Sequence, residues 1–443
     1  MGTRRMLLFA VLAALVRPTE QAGDVAVVGY LPEWRYEGAN FDYMARTYTH
    51  LLLFSLEVLP DGGIGALDRV PRPTILAKAR AAARAHGMAL MICFGGNGRS
   101  AGFSQMVRRP AARRRFVGGL VALCLDHGLD GVDYNWEYPG YAFGRGYLPE
   151  PEIEADYAGL AALIQETREA FAASEFLGPA APITLAYYPD GRQERLLQKS
   201  YATGVAPSSE SADLLHAMAY DTHGPEGHSS LDYGKKCLER ALSAGLPPHK
   251  VTLGLPFYGR FVQGGDWRSY EDLVQAHHPL APATDRVAGD GDSGDGGEVD
   301  QRQHQQQEIA FNGRDTIAAK TEYALSRGAG GLMVWEAGQD CRVEAVSHED
   351  RPRETHGVTC PGPGDGSSLL AALRDAIESS PSGRARAAYT GHFNHTLAAA
   401  AAAVAAREAE AEAADEAEKP AMKKKKKKKR KSPAARAADD REL

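Results

Sequence analysis

Residues 130–137 read DGVDYNWE, and the run continues as YPG to Gly140. Asp133, Asn135 and Glu137 stand two residues apart. Alternate residues of a β-strand face the same side, so an extended backbone aims all three polar groups at one place. A buried polar row is costly unless it is paired or put to use. Two carboxyl groups with an amide between them therefore mark a strand that leads into a working site. Asp130 has the opposite parity and reads as a structural acid at the boundary between helix and strand.

Seven further apolar runs flank this one: VAVVGYL (25–31), THLLLFSLEV (49–58), MALMICFGG (88–96), ITLAYYP (183–189), ADLLHAMAYD (212–221), VTLGLPFYG (251–259) and GGLMVWE (330–336). Between them lie stretches such as RPTILAKARAAARAHG and ARRRFVGGLVALCLDHG, with apolar residues at three-to-four spacing and a terminal Gly that stops a helix. Strands that are apolar on both faces, with helices between them, predict a parallel sheet covered by helices. Eight of them over this length predict an eight-stranded parallel β/α (TIM) barrel rather than an open sheet. Such barrels place their active sites where the strands end, and polar residues gather there in this chain.

With 443 residues, 44 % hydrophobic and 24 % charged, the chain has the composition of a soluble globular protein. The net charge is −6, with much of the positive charge near the C-terminus, so the remainder is more acidic still, which argues against a nucleic-acid-binding core. MGTRR followed by MLLFAVLAALV reads as a secretory signal over residues 1–22, with an uncleaved N-terminal anchor as the alternative. Five cysteines are too few for a disulfide scaffold, and no CxxC pair suggests zinc. Cys341 and Cys360 flank a polar loop and can bridge in a secreted protein, whereas Cys93 and Cys124 lie in apolar runs and read as buried free thiols. Residues 346–385 are expected to supply a helix, SSLLAALRDAIES, that packs on the barrel. Residues 386–443, with their Ala/Glu and Lys blocks, read as a disordered low-complexity tail whose lysines either meet an anionic surface or are merely solvated. Asn394 is a possible glycosylation acceptor. GDGDSGDGGE, within the long interruption over 261–312, reads as a flexible loop with no calcium-site spacing.

DGVDYNWE resembles the DxxDxDxE signature of glycoside hydrolase family 18, the chitinases and their relatives. CFGG at 93–96 resembles the family's SxGG, with Cys93 in place of Ser. MAYD at 218–221, GLPFYGR at 254–260 and GLMVWE at 331–336 match further family segments in the right order. The resemblance covers residues 25–345 and implies a catalytic barrel there, with no cofactor or metal. It also implies substrate-assisted, retaining cleavage of β-1,4-linked N-acetylglucosamine chains, without the usual second carboxylate as nucleophile. Glu137 would be the acid and then the base. Tyr220 and Asp221 would hold the acetamide and the sugar, and Trp335 would form an apolar floor. Asp133 and Asn135 complete the catalytic set. Tyr30, Gly95, Gly96, Trp136, Tyr138, Met218 and Tyr258 would line the substrate site. The implied partner is an N-acetylglucosamine-containing polysaccharide met outside the cell or in the secretory lumen, with no membrane span once the leader is removed. Nothing in the sequence speaks to oligomeric state.

Asn135 departs from the family, which has Asp there. An amide oxygen can accept the same hydrogen bond but carries no charge. A carbohydrate-binding lectin with weak or no activity and an endo-β-N-acetylglucosaminidase acting on N-glycans are therefore kept as alternatives. The polar insertion between strands seven and eight implies an open cleft.

Overall fold

The computed structural model describes residues 25–201, 204–263, 266–289, 308–343, 358–362 and 364–380. The leader, the Gly-rich segment from Asp290 onward, Asn394 and the Ala/Glu and Lys blocks lie outside the described residues.

Each of the eight apolar runs forms a strand: β1 (Ala26–Pro32), β2 (His50–Val58), β3 (Ala89–Gly95), β4 (Gly131–Asn135), β5 (Ile183–Tyr187), β6 (Leu214–Ala217), β7 (Val251–Pro256) and β8 (Gly331–Trp335). Neighbours in sequence pair in parallel, and the sheet closes because β1 pairs with both β2 and β8, Ala26 opposite Gly331 and Val28 opposite His50. The chain folds as a closed eight-stranded parallel barrel with helices outside it.

Strand parity divides the core in two. Val28, Tyr30, Leu52, Phe54, Met91, Cys93 and Met333 point into the barrel, while Val27, Leu31, Leu51, Leu53, Ile92, Val132 and Tyr134 point out against the helices. Both sets are buried, which is why these strands read as continuous apolar runs rather than alternating ones. Gly29 occupies an outward position where a Cβ would come within 2.7 Å of the Tyr48 ring.

The helices Pro73–His86 and Pro110–His127 begin on Pro, whose fixed φ suits the first turn. They end at Gly87 and Gly128, with φ of 64° and 60°, the left-handed stop that the sequence shows. The insertion after β7 is more regular than its polar composition suggests. Tyr258–Phe261, Trp267–Ser269, Arg286–Ala288 and Glu308–Ala310 form a small antiparallel sheet, with a helix over Tyr270–Ala276.

The predicted C-terminal helix spans Leu369–Glu378, and Leu369, Leu370, Leu373 and Ile377 join the outer core. Asp340 receives its first turn: Ser368 Oγ and the Leu370 N–H donate to Oδ2 at 2.6 and 2.9 Å, and the Leu369 N–H to Oδ1 at 3.1 Å. A carboxylate at this point satisfies orphan donors of the helix start. Cys341 and Cys360 form a disulfide beside it, and Cys93, Cys124 and Cys237 are buried free thiols. No described helix is long and apolar enough to cross a membrane.

Candidate active site

The strand parity that builds the inner core also aims the polar residues of β4 into the barrel mouth. Asp133 is fully buried on the axis, and Asn135 lies above it, nearly as buried. Glu137, just past the strand end, borders an open cavity of about 290 Å³. Tyr134 and Trp136 have the other parity and go outward. Trp136 stacks on Phe103, 5.1 Å between ring centroids and 12° between planes.

Asp133 is held by groups from three other strands. Tyr30 Oη donates to Oδ2 at 2.9 Å, Thr184 Oγ1 donates to Oδ1 at 2.7 Å, and the Cys93 thiol donates as well. His216 Nε2 lies 3.6 Å from Oδ1, and its Nδ1 meets Thr252 Oγ1 at 2.7 Å. Burial pushes Asp133 up to about 6 even though all three hydrogen bonds favour the charged form. The Cys93 thiol is itself raised, first by burial and then by the Asp133 charge.

Burial likewise pushes Glu137 up to about 7. Hydrogen bonds from Asn135 and Tyr138 work the other way, the nearby Asp221 charge adds to the rise, and the backbone N–H of Asn97 also favours the ionised form. Asn135 thus acts as a donor to Glu137, and its Oδ1 is left buried without a hydrogen-bond partner. Ser100 fixes the backbone: its Oγ accepts from the Glu137 N–H at 3.1 Å and donates to the Gly96 carbonyl at 3.0 Å.

Across the cavity, Asp221 has a different environment. Tyr258 Oη donates to Oδ1 at 2.6 Å, and Arg260 binds both oxygens, at 2.5 and 2.9 Å. The His228 ring is 3.5 Å from Oδ1. Burial acts to raise this carboxyl, but the hydrogen bonds from His228, Arg260 and Tyr258 outweigh it and hold Asp221 well below the usual carboxylate range. Asp221 has a φ of 60°, a left-handed conformation uncommon for a non-glycine residue. Beside it, Tyr220 Oη has one weak contact among the described residues, a donation to Met333 Sδ at 3.8 Å, so the hydroxyl is available to a bound polar group.

Of the residues expected from sequence, Tyr30, Asn135, Glu137, Tyr138, Met218, Tyr220, Asp221 and Trp335 line the cavity. Asp133 lies beneath it and Tyr258 behind Asp221. Gly95, Gly96 and Trp136 are not on its wall. Instead, the two glycines let the chain leave β3 past its neighbours: a Cβ at Gly95 would come 2.4 Å from the Asn135 carbonyl oxygen, and one at Gly96 would come 2.3 Å from the Phe54 ring. Both have positive φ, 100° and 104°.

Sequence reasoning missed Trp34, Phe54, Asn97, Arg99, Tyr188 and Arg260, all of which line the cavity. Phe54 is legible in retrospect, since it has the inward parity of β2, and Arg260 ends the GLPFYGR segment. Arg99 is held by both oxygens of Glu33, at 2.7 and 3.1 Å, and lies over the Trp34 and Phe54 rings. Phe54 meets Trp335 edge-on at 4.7 Å. Nothing local in the sequence announces that grouping.

A cavity at the strand exits of a closed parallel barrel, with one raised and one lowered carboxyl on its wall, lies where such barrels place their active sites. The sequence profile of the Glycosyl hydrolases family 18 matches residues 26–340, and the chain belongs to that family. "Probable chitinase 2" of Drosophila melanogaster is 25 % identical over 312 residues, covering 59 % of this chain and 59 % of the relative. "Endochitinase 1" of Metarhizium robertsii is 25 % identical over 289 residues, 57 % of this chain and 62 % of the relative. The match thus spans about three-fifths of these relatives' length. Among solved structures, the Ostrinia furnacalis Group IV chitinase in complex with allosamidin superposes with a TM-score of 0.58 at 20 % identity, covering 80 % of this chain and 99 % of that one, a likeness of fold.

Proposed function

We propose that this protein is a secreted hydrolase of β-1,4-linked N-acetylglucosamine chains that uses the substrate's own acetamide as nucleophile. The observation that carries the reading is Glu137, a carboxyl raised to about 7 on the wall of the same cavity as a Tyr220 hydroxyl that, among the described residues, meets a thioether alone. Glu137 gives its proton to the glycosidic oxygen as the bond to the anomeric carbon breaks. The acetamide oxygen, oriented by Tyr220, closes on that carbon to form an oxazolinium ion. Water then attacks the same carbon as its bond to the acetamide oxygen breaks and the acetamide re-forms, Glu137 takes the water's proton, and the sugar is released with retained configuration. Asp221, locked as an anion, faces the positive charge that develops, and Trp335 forms the floor under the ring. Holding the acetamide in line is a positioning effect able to supply much of the acceleration. The bridge between Cys341 and Cys360 supports an oxidising compartment, as the secretory signal read over residues 1–22 would require.

The test is incubation of purified protein with chitin oligomers and with an N-glycoprotein, with products identified by mass and the first anomer by NMR. The β-anomer from chitin oligomers is expected. The α-anomer from a β-linked oligomer excludes acetamide participation, and release of N-glycans alone moves the substrate to the endo-β-N-acetylglucosaminidase class. A second reading, a lectin of weak activity, is favoured by Asn135, because an amide beside the acid adds no negative charge. Tight oligomer binding with no cleavage would establish it.

A further inference from the structure

The cavity lies between two runs of aromatic rings. One passes from Trp335 through Phe54 to Trp34, at 4.7 and 6.4 Å between centroids. The other starts at Tyr138, the residue after Glu137, and leads away from the barrel mouth. Tyr138 meets Tyr141 at 5.9 Å and Phe143 at 6.2 Å, Tyr141 meets Phe143 at 5.5 Å, and Tyr188 flanks Tyr138 at 5.9 Å. Its outer end is a short hairpin, Tyr141–Ala142 paired with Gly146–Tyr147. Phe143 at the tip is 58 % exposed, the most exposed large hydrophobic side chain among the described residues.

A single exposed phenylalanine is ordinary on a protein surface. This one is the end of a continuous ring array that begins beside the proposed acid, and the hairpin carrying it is tied down. The Gly140 N–H donates to Asp156 Oδ2 at 2.9 Å, and the Leu148 N–H donates to the Gly140 carbonyl at 2.8 Å. Tyr147 Oη donates to Asp190, and the Arg192 guanidinium lies 4.6 Å from the Tyr147 ring centre. Gly144 and Gly146, at φ of 79° and 81°, supply the turn and leave the space around them open. Fixed rings with open faces suit the apolar faces of pyranose sugars.

We propose that the hairpin over residues 141–147 binds the leaving-group side of the glycan, with Phe143 as its outermost sugar platform. The inference rests on the proposed function. The sugar whose acetamide meets Tyr220 and whose ring lies on Trp335 occupies one flank of Glu137. The proton goes to the oxygen linking it to the next sugar, so the departing chain extends over the other flank, where Tyr138 leads to Phe143. The substrate class is thereby a chain that continues past the first sugar on the leaving-group side.

The test compares an N-acetylglucosamine hexamer with a nitrophenyl glycoside of the disaccharide, whose leaving group ends after one ring. For Phe143→Ala, the loss of kcat/KM on the hexamer should exceed that on the nitrophenyl substrate by roughly two- to tenfold, the scale of one aromatic contact, and should appear mainly in KM. Phe143→Trp should restore the hexamer value. Calorimetry of the hexamer on Glu137→Gln protein, with and without Phe143→Ala, should show the same ratio without turnover. Equal loss on both substrates, or none on the hexamer with an active wild type, overturns the platform. A wild type that neither binds nor cleaves either substrate overturns the proposed function, and the platform with it.

Discussion

Glu137 and Asp221 share one cavity and have opposite surroundings. The donors to Glu137 from Asn135, Tyr138 and Asn97 are neutral, and burial outweighs them, pushing its carboxyl up to about 7. Asp221 has a guanidinium on both oxygens and a tyrosine hydroxyl besides, so pairing decides and it stays ionised. Two carboxyls of similar intrinsic acidity part because burial outweighs the neutral donors at Glu137, whereas His228, Arg260 and Tyr258 together outweigh burial at Asp221. Divergent environments of this kind assign acid and anion roles.

The most direct way to break the contrast is Glu137→Gln, which removes the titrating group and keeps its shape. Turnover of oligomers should fall by roughly 10²- to 10⁴-fold, the usual worth of a positioned acid, with calorimetric affinity retained. Activity that survives in clean protein would place the acid elsewhere.

Asn135→Asp tests the same contrast from the other side. It replaces a donor to Glu137 with a charge, which should raise the Glu137 pKa and move the alkaline limb of the pH–rate profile upward. Under the proposed mechanism the charge also faces the oxazolinium, so turnover should rise, by up to about 10²- to 10³-fold. A variant that folds normally yet is slower, with an unmoved limb, would mean that the amide is the adapted solution. The expected cost is in stability, because buried Asp133 lies on the same strand face.

Asp221→Asn should reduce turnover by about ten- to a hundredfold, the worth of a charged hydrogen-bonding group. Because the Asp221 anion contributes to the raised pKa of Glu137, its loss should move the alkaline limb to lower pH. An unshifted limb would separate the two carboxyls electrostatically.

The smallest effect is on stability. The folded pKa of Glu137, about 7, lies above its ordinary value of 4.5. Folding therefore favours the protonated form, and the contribution of this group to stability is lost as pH rises from about 4.5 through 7. The Tm of Glu137→Gln relative to the wild type should thus be higher at pH 8 than at pH 4, by a few degrees. Equal differences at the two pH values would show that Glu137 is not desolvated.

How much of this was readable from sequence follows from how local each signal is. The eight strands and the helix stops were legible because burial on both faces and left-handed glycines leave marks within a few residues. Asp133, Asn135 and Glu137 were legible from a period of two, and the same period places Trp136 on the outer face, where the family likeness alone had suggested substrate. Trp34, Arg99 and Tyr188 were not legible, since they come from three different strand exits and meet only through barrel closure. The buried Lys320, whose Nζ donates to Ser229 and Asn312, looks in sequence like any exposed helix lysine.

The pairing of β1 with β8 has a consequence for how the molecule is made. Ala26 is opposite Gly331, so the first strand waits for nearly the whole barrel to be synthesised before it gains its second neighbour. Until then two open sheet edges, on β1 and β7, are available to other chains. Ring closure over so long a contour is slow, and the interval is the period of greatest aggregation risk. A chain cut before residue 331 should therefore appear in the insoluble fraction on expression rather than as a smaller soluble fold; recovery of a soluble, cooperatively melting fragment would show that seven strands suffice.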